Sequence, residues 1–448
     1  MNKTVVIDVV GLSASLIGTH TPFLKNYIQK KNLSTIDPML PAVTTAVQST
    51  YVTGKWPSEH GIVGNGWYDK EDCEIKFWKQ SNKLVQSEKI WEKAKKMDPD
   101  FTCAKMFWWY NMYSAADYAV TPRPNYLADG RKLPDCYSHP AELRDELQEK
   151  LGQFPLFQFW GPGANIKSTQ WIADASMIVD EKYNPTLSLI YLPHLDYCLQ
   201  KFGPDFSKIS KELIEIDQVI ASLVEHFEKK NARIIILSEY GIAPVNHPIH
   251  INRLLREQNM LAIRVERDLE LLDPGASKAF AVADHQIAHI YINDNSIINK
   301  VRKILEKIPG IELILDKNAQ KEYHIDHARS GDFVLVADEG SWFTYYHWMD
   351  DAKAPDYARC VDIHKKPGYD PVEMFMTSKL RAAYKLLRKK MGFRYVMDVI
   401  PLDATLIKGS HGRISVPSEF CPVIITNNSL SKRIFPTDVS RIIWDNLN

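Results

Sequence analysis

Four side chains able to bind a metal ion stand beside predicted buried strands. Asp8 lies at the end of a β-branched run, Asp196 and Glu239 each follow another apolar run, and His411 shortly precedes a fourth. In open α/β sheets, ligands bind at the carboxyl ends of the strands. One carboxylate after a strand is also an ordinary helix cap or turn residue, so the prediction depends on all four together. Three carboxylates and an imidazole at one sheet edge would bind Zn²⁺ or Mn²⁺.

The elements that must position these side chains alternate along the chain. Apolar runs typical of buried strands lie at 5–7, 187–192, 233–237, 287–292 and 333–337. The clearest amphipathic helix is predicted over 209–229, with its apolar residues on one face. Strands that alternate with helices of this length predict an α/β fold, with a mainly parallel central sheet flanked by helices.

The chain is predicted to divide into two parts. Residues 1–245 and 395–448 would form the core that carries the metal ligands. Residues 246–394 would form a smaller inserted α+β subdomain, in which a strand, a helix over 296–307 and two more strands follow one another. The aromatic stretch at 342–348 would either stack on a base or sugar of the ligand or pack a lid onto the core.

The composition excludes several classes of protein. The chain has 448 residues with 55 basic and 55 acidic side chains. It therefore has no overall positive field for a nucleic acid polymer or an anionic membrane, although a local patch is not excluded. A hydrophobic content of 45% excludes a disordered chain. Six cysteines without a CxxC pair, no clear leader peptide and no long uncharged apolar segment predict a cytoplasmic protein that takes no membrane partner.

A dense series of spaced residues occupies the first 69 positions. They are Asp8, Thr21-Pro22, Pro41-Ala-Val-Thr44, Thr53-Gly54, Pro57, His60-Gly-Ile62, Asn65 and Tyr68-Asp69. In this order and spacing they resemble the type I phosphodiesterase/nucleotide pyrophosphatase branch of the alkaline phosphatase superfamily. The resemblance continues in short islands near 186–204, 233–241 and 408–425. It implies an alkaline phosphatase-like fold and a hydrolase that acts on phosphate esters.

The resemblance also implies roles for single residues. Thr44 would be the covalent nucleophile, and the Asn65 amide would donate to a non-bridging phosphoryl oxygen. The resemblance further implies two divalent metal ions, with zinc favoured. Their ligands would be Asp8, Thr44, Asp196, Glu239 and His411.

The residues themselves leave two candidates for the nucleophile. Thr44 directly precedes a helix predicted over 45–52, where free backbone N–H groups and the helix dipole favour a phosphoryl oxyanion. Thr45 is the rival, and either hydroxyl would also serve as an ordinary N-cap. The preceding Pro-Ala-Val spacing favours Thr44.

Two positions depart from the family pattern. The family places a histidine four residues after the second aspartate, and here Gln200 follows Asp196 at that spacing. The family's Ser-Asp-His-Gly stands here as Ser238-Glu239-Tyr240-Gly241. Gln200 and Tyr240 remain candidate ligands, but the loss of imidazole shifts the metal preference toward Mn²⁺ or Mg²⁺. Replacement imidazoles are expected in the order His364, His285, His194 and His289.

The leading functional prediction is a metal-dependent phosphodiesterase that acts on a small organophosphate through a phospho-threonine. One alternative is a phosphomonoesterase of a sugar or polyol phosphate in biosynthesis. Others are a phosphotransferase and a pseudoenzyme that binds a phosphorylated ligand without cleaving it. A diesterase needs an apolar slot beside the metals, whereas a monoesterase needs further cationic groups for the third oxygen.

Overall fold

A nine-stranded mixed sheet forms the centre of the computed structural model, which describes residues 1–448. In spatial order its strands are Arg433–Ile434, Asn32–Ile36, Val423–Thr426, Arg233–Leu237, Thr4–Val9, Leu187–Leu192, Cys103–Met106, Tyr118–Pro122 and Cys136–His139. The middle strands, from Arg233–Leu237 to Tyr118–Pro122, all run parallel. The prediction of an α/β fold with a mainly parallel sheet is confirmed.

The strand Thr4–Val9 shows how the sheet is buried. All six of its residues are inaccessible to solvent. Because successive side chains of a strand point to opposite faces, Val5 and Ile7 enter one apolar cluster and Val6 enters another. A strand covered on both faces needs apolar residues on both, and this explains its nearly uninterrupted β-branched run.

Helices cover the two faces of the sheet. One face carries Ile166–Tyr183, His194–Phe202 and Phe206–Glu228. The last of these corresponds to the helix predicted over 209–229, and the Asp205 carboxylate caps it by accepting the Ser207 backbone N–H at 3.1 Å. The other face carries Thr44–Thr53 and Asp438–Leu447.

A second, four-stranded antiparallel sheet packs beside the first. Its spatial order is Ala279–Asp284, Ile287–Ile292, Phe333–Ala337 and Ile311–Leu315. The helix predicted over 296–307 is present as Ile298–Leu305. One apolar cluster joins Val6 and Val47 of the central layer to Ala281 and Val334 of this sheet. The division into a core and an inserted subdomain stays a prediction.

The remaining elements connect these layers. The other helices are Pro22–Tyr27, Pro57–His60, Ile90–Met97, Glu142–Leu151, Leu156–Phe159, Ile251–Glu257, Ala319–Glu322 and Lys379–Lys390. The two-stranded sheets pair Gly66–Asp69 with Glu74–Phe77, Asn125–Tyr126 with Lys132–Leu133, Ala243–Pro244 with Gly409–Ser410, His247–Ile249 with Ser341–Phe343, and Ala262–Glu266 with Leu269–Asp273. Every helix is too short or too polar to cross a membrane.

Lys105, on the strand Cys103–Met106, provides a test of the central packing. Its ammonium is buried, donates to the Tyr110 carbonyl at 2.9 Å and lies 4.6 Å from the Trp91 ring. Burial lowers the pKa of Lys105 to about 7, whereas an unfolded lysine titrates near 10.4. The cost of the buried charge is therefore fully present below pH 7 and is relieved as the pH rises toward 10.

We expect Lys105→Met to raise the free energy of unfolding relative to wild type at pH 6, and this advantage to shrink at pH 9. The linkage relation allows a slope of at most about 1.4 kcal/mol per pH unit. Urea denaturation of both proteins at the two pH values measures the difference. A difference that is equal at pH 6 and pH 9 would contradict a depressed pKa at Lys105.

Candidate active site

The predicted site residues converge at the carboxyl ends of the central strands. Asp8 lies in the strand Thr4–Val9, and Glu239 follows the strand Arg233–Leu237. Asp196 is in the first turn of the helix His194–Phe202, and Gln200, four residues later, lies on the same face. His411 follows the short strand Gly409–Ser410. All five side chains are buried.

Asp8 and Glu239 form a buried pair of carboxylates. The Gln48 side-chain amide donates to Glu239 Oε1 at 2.6 Å and lies 3.4 Å from Asp8 Oδ2. Its own carbonyl accepts the Trp109 backbone N–H at 2.7 Å, which fixes its orientation. Burial, followed by the charge of Glu239, raises the pKa of Asp8 well above its ordinary value, and burial also raises the pKa of Glu239. Gln48 was not identified from the sequence, because a glutamine within a helix carries no local signal.

A chain of hydroxyl, carboxyl and amide groups leads away from Thr44. The Thr44 and Tyr240 hydroxyls are 2.9 Å apart, and the Tyr240 hydroxyl donates to Asp196 Oδ1 at 3.3 Å. The Gln200 amide donates to Asp196 Oδ2 at 2.8 Å, and its carbonyl accepts the Tyr369 hydroxyl at 3.0 Å. Burial and the charge of Glu239 raise the pKa of Asp196 to about 7. Tyr240 and Gln200 therefore contact the predicted metal ligands directly.

Two histidines face this group. His411 Nδ1 donates to the Ala42 carbonyl at 2.7 Å, which leaves Nε2 with a free lone pair 3.8 Å from Asp196 Oδ1. The His285 ring lies 3.8 Å from the His411 ring and 3.6 Å from the Tyr369 ring, measured between centroids. Burial lowers the pKa of both histidines well below the ordinary value, because it disfavours the charged imidazolium.

His285 is held by strained backbone and an acidic partner. It occupies the turn between two strands of the smaller sheet with φ +61°, a left-handed conformation that is uncommon for a residue with a side chain. Its Nδ1 is 2.8 Å from Asp284 Oδ1, so Nε2 is the nitrogen directed elsewhere. Asp284 also accepts the Asn65 backbone N–H at 2.7 Å.

The donor atoms present fit divalent cations. Four buried ligand atoms have no hydrogen-bond partner, namely Asp8 Oδ1, Glu239 Oε2, His285 Nε2 and His411 Nε2. Unpartnered buried polar atoms are costly, and close carboxylate pairs without a nearby Lys or Arg need a compensating charge. Carboxylate oxygens with imidazole nitrogens suit Zn²⁺ and Mn²⁺.

A second cluster, of two carboxylates and a histidine, lies toward the amino ends of the central strands, opposite the predicted site. Ligand atoms of Asp180, Glu181 and His226 lie within 4.8 Å of one another. Lys230 lies 3.0 Å from Asp180 and 2.9 Å from Glu181, and Lys3 also pairs with Asp180. Because the chain's own cations already neutralise these carboxylates, this group is an ion-pair cluster remote from Thr44.

The two threonines at the start of the helix Thr44–Thr53 point in different directions. Thr44 lines a large cavity, whereas the Thr45 hydroxyl donates to the Gly64 carbonyl at 2.8 Å. The Asn65 side chain accepts the Thr45 backbone N–H at 3.1 Å and donates to Asp284 at 3.1 Å. Asn65 therefore organises the helix start, and it does not line the cavity.

The structure places the four candidate replacement histidines in different surroundings, and their expected order as ligands stays a prediction. His285 lies against His411, whereas His364 lies farther along the cavity wall and contacts the Phe77 carbonyl at 3.5 Å. His194 is directed toward Glu215 of the long helix at 3.3 Å and does not line the cavity. His289 bonds the Val63 carbonyl and the Gly331 N–H and is structural. Local sequence places all four near strands or turns, but only the packing decides their direction.

The cavity has a volume of about 1690 Å³ and extends from the site to the protein surface. Thr44, Asp196, Tyr240 and His285 contribute to its lining. Its aromatic walls include Trp78, Trp109, Trp160, Tyr197 and Tyr369. None of the aromatic residues at 342–348 lines it. The five aromatic rings of that stretch are buried, so of the two interpretations of the stretch, packing onto the core is the one observed.

Comparisons with known proteins identify relatives of this chain. The family model described as type I phosphodiesterase/nucleotide pyrophosphatase matches residues 4–370. An uncharacterized pyrophosphatase/phosphodiesterase of Schizosaccharomyces pombe is 25% identical over 388 residues, which cover 84% of this chain and 70% of that protein. Ectonucleotide pyrophosphatase/phosphodiesterase 2 of Saccharomyces cerevisiae is 24% identical over 54% of this chain and 48% of its own length.

Solved structures share the fold at low sequence identity. Murine ectonucleotide pyrophosphatase/phosphodiesterase 5, as an inactive threonine-to-alanine variant in complex with AMP, aligns with a TM-score of 0.60 and 14% identity. The alignment covers 100% of this chain and 95% of the murine chain. Phosphonoacetate hydrolase from Sinorhizobium meliloti 1021, in complex with phosphonoacetate, aligns with a TM-score of 0.63 and 14% identity over 100% and 96% of the two chains. The alkaline phosphatase-like fold is thereby confirmed.

Proposed function

Because this chain belongs to the type I phosphodiesterase/nucleotide pyrophosphatase family, we propose that it hydrolyses a phosphoric diester through attack of Thr44 Oγ1 on phosphorus. The observation that carries the proposal is the direction of the Thr44 hydroxyl. It lies at the cavity wall, 2.9 Å from the Tyr240 hydroxyl and beside buried carboxylates, while the hydroxyl of Thr45 is bonded to Gly64. The inactive threonine-to-alanine variant of the murine relative is consistent with a threonine in this role.

The hydrogen-bonded chain from Thr44 supplies a route for its proton. Thr44 donates to the Tyr240 oxygen while Tyr240 donates to Asp196, so the proton moves to Asp196 as the bond from Thr44 Oγ1 to phosphorus forms. The bond from phosphorus to the leaving oxygen breaks, and the leaving alkoxide takes a proton from water to become an alcohol, while Asp196 keeps the Thr44 proton until it returns through Tyr240 in the second step. Water then cleaves the phospho-threonine, which returns the hydroxyl of Thr44 and releases the phosphomonoester.

The residues present also suggest how metal ions would be held. Asp8, Glu239 and Thr44 would hold one divalent cation, and Asp196, His411 and His285 would hold a second. Such ions lower the pKa of a ligated hydroxyl and stabilise charge on the phosphoryl oxygens. We expect zinc, with Mn²⁺ or Mg²⁺ as alternatives because Gln200 and Tyr240 replace two imidazoles.

A diester fits the surroundings of Thr44 better than a monoester. The hydrogen bonds of Thr44, Tyr240 and Gln48 involve no lysine or arginine. The buried Lys366 is neutralised by Asp370 and Glu373, at 2.7 Å each, and it does not line the cavity. Six basic residues line the cavity, namely Arg131, Lys132, Lys385, Arg388, Lys389 and Arg394, but none of them is hydrogen-bonded to the Thr44 group. The third oxygen of a monoester would therefore lack a cationic partner among the groups that contact Thr44, while the aromatic wall suits the second ester group of a diester.

The main alternative is a pseudoenzyme that binds a phosphorylated ligand. The observation that favours it is Gln48, whose neutral amide already donates between the carboxylates of Asp8 and Glu239. If this arrangement excludes a cation, the site retains its shape without a metal to activate Thr44.

Turnover of paired aryl phosphates separates these functions. With Zn²⁺ or Mn²⁺ added, we expect kcat/KM for bis(p-nitrophenyl) phosphate to exceed that for p-nitrophenyl phosphate by at least about tenfold, because only the monoester needs an additional cation. The opposite preference would indicate the monoesterase. Absence of turnover of both compounds with every metal tried would favour the pseudoenzyme.

A further inference from the structure

The helix Lys379–Lys390 and the residues after it leave an unusual apolar surface in solvent. Eight of the 21 large apolar side chains that the chain exposes lie between Met376 and Val396. Four of them line the cavity, and the other four, Leu380, Tyr384, Leu387 and Met391, do not. Within the helix only Ala382 is buried. Surface helices of globular proteins normally turn their apolar stripe toward the core, so the exposed apolar side chains of this segment need another explanation.

The outward face of the helix carries a continuous apolar stripe. Leu380, Tyr384, Leu387 and Met391 recur at helical spacing, and they are 84%, 55%, 53% and 55% exposed. The opposite face, with Ala382, Leu386 and Lys389, lines the cavity that leads to Thr44. The inner face carries Lys385 and Lys389 beside Ala382 and the half-exposed Leu386, whereas the outward stripe consists of apolar side chains alone.

Cations border the outward stripe on both sides. Helical spacing places Lys379 and Lys390 on one side and Arg381 and Arg388 on the other. The stretch 377–397 contains seven basic residues and no acidic one. Asp398 pairs with Arg381 and Lys385, and the other five cations have no acidic partner. An apolar stripe between cations is the pattern of a helix that lies in the plane of an anionic membrane.

We propose that the segment Met376–Val396 docks on an anionic membrane surface, with its apolar stripe in the headgroup and acyl boundary. The charge beside the stripe carries the choice of partner, because a neutral apolar partner would leave Lys379, Arg388 and Lys390 without a counter-charge. The total charge of the chain is balanced, which is why the sequence predicted no membrane partner; the local patch differs from that average. This helix lines one end of the cavity. Docking would therefore bring that end of the cavity close to the membrane surface.

Co-sedimentation of the 448-residue protein with vesicles tests the proposal. We expect at least about tenfold more binding to phosphatidylcholine vesicles containing phosphatidylserine than to pure phosphatidylcholine, and weaker binding as salt is raised. The triple variant Leu380→Ser, Tyr384→Ser, Leu387→Ser should lose this binding, because it removes the side chains that enter the bilayer. Lys379→Gln with Lys390→Gln should reduce binding to the anionic vesicles.

A matched control removes equally exposed apolar side chains elsewhere. Met97→Ser, Val265→Ser and Phe435→Ser, at residues 64%, 63% and 62% exposed, should leave vesicle binding unchanged. Equal binding of wild type to both vesicle types, or equal binding of the stripe variant and wild type, would overturn the proposal. A dimer in sedimentation velocity that the stripe variant dissociates would assign this face to a second copy and also overturn it. The assay contains no substrate, so its result does not depend on the proposed hydrolase.

Discussion

Thr44→Ala is expected to lower kcat for a phosphodiester by at least about a thousandfold, because it removes the oxygen that would form the bond to phosphorus. The variant should still fold, since the lost hydroxyl bonds only to Tyr240 at the cavity wall. Steady-state turnover of bis(p-nitrophenyl) phosphate measures the effect. Thr44→Ser, which keeps a hydroxyl, should retain part of the activity.

Thr45→Ala is the matched control for this prediction. It deletes the neighbouring hydroxyl, which donates to the Gly64 carbonyl at 2.8 Å. We expect a loss of about 1 kcal/mol in the free energy of unfolding and nearly unchanged kcat. If Thr45→Ala abolished turnover while Thr44→Ala did not, the nucleophile would have to be reassigned.

Glu239→Gln is expected to weaken metal binding but to raise the thermal stability of the metal-free protein. In the wild type, Asp8 and Glu239 are both buried, and no lysine or arginine is paired with either. Burial raises the pKa of each carboxyl group, because it disfavours the charged form of both. Neutralising Glu239 should therefore raise the melting temperature of the metal-free protein.

The same substitution should abolish the response to added metal. Divalent cation at about 100 times its Kd should stabilise the wild type by about 2.7 kcal/mol, because the folded state alone presents the assembled site. Glu239→Gln should lose most of this stabilisation together with the activity. Thermal melts with and without Zn²⁺ or Mn²⁺ and metal analysis of the purified protein provide the measurements.

Asp217→Asn supplies the control for removal of a buried carboxylate. Asp217 accepts the backbone N–H groups of Phe23 and Leu24, at 2.8 and 2.9 Å, and does not line the cavity. Its loss should lower stability but leave the metal response intact. A wild type whose melting temperature is indifferent to every divalent cation would contradict the metal site and favour the pseudoenzyme.

The scaffold of the site was readable from the sequence because its signals are local. The strand that carries Asp8 is a short β-branched run, and the residues from Pro41 to Asn65 form a motif whose spacing is fixed by the two helices Thr44–Thr53 and Pro57–His60 and the turns beside them. The same runs predicted the parallel strands Leu187–Leu192 and Arg233–Leu237, since strands covered on both faces must be apolar throughout.

The direction of individual side chains was decided only by the tertiary structure. Gln48, His285 and Tyr369 come from distant parts of the chain, yet they lie against the same carboxylates and histidines. His364 has an equally suggestive sequence context but lies elsewhere on the cavity wall. Sequence spacing defines neighbours on one helix or strand, whereas contacts between distant segments depend on how whole layers pack. For the same reason the apolar stripe of the helix Lys379–Lys390 was not identified from the sequence, because only the packing of the chain leaves that face in solvent.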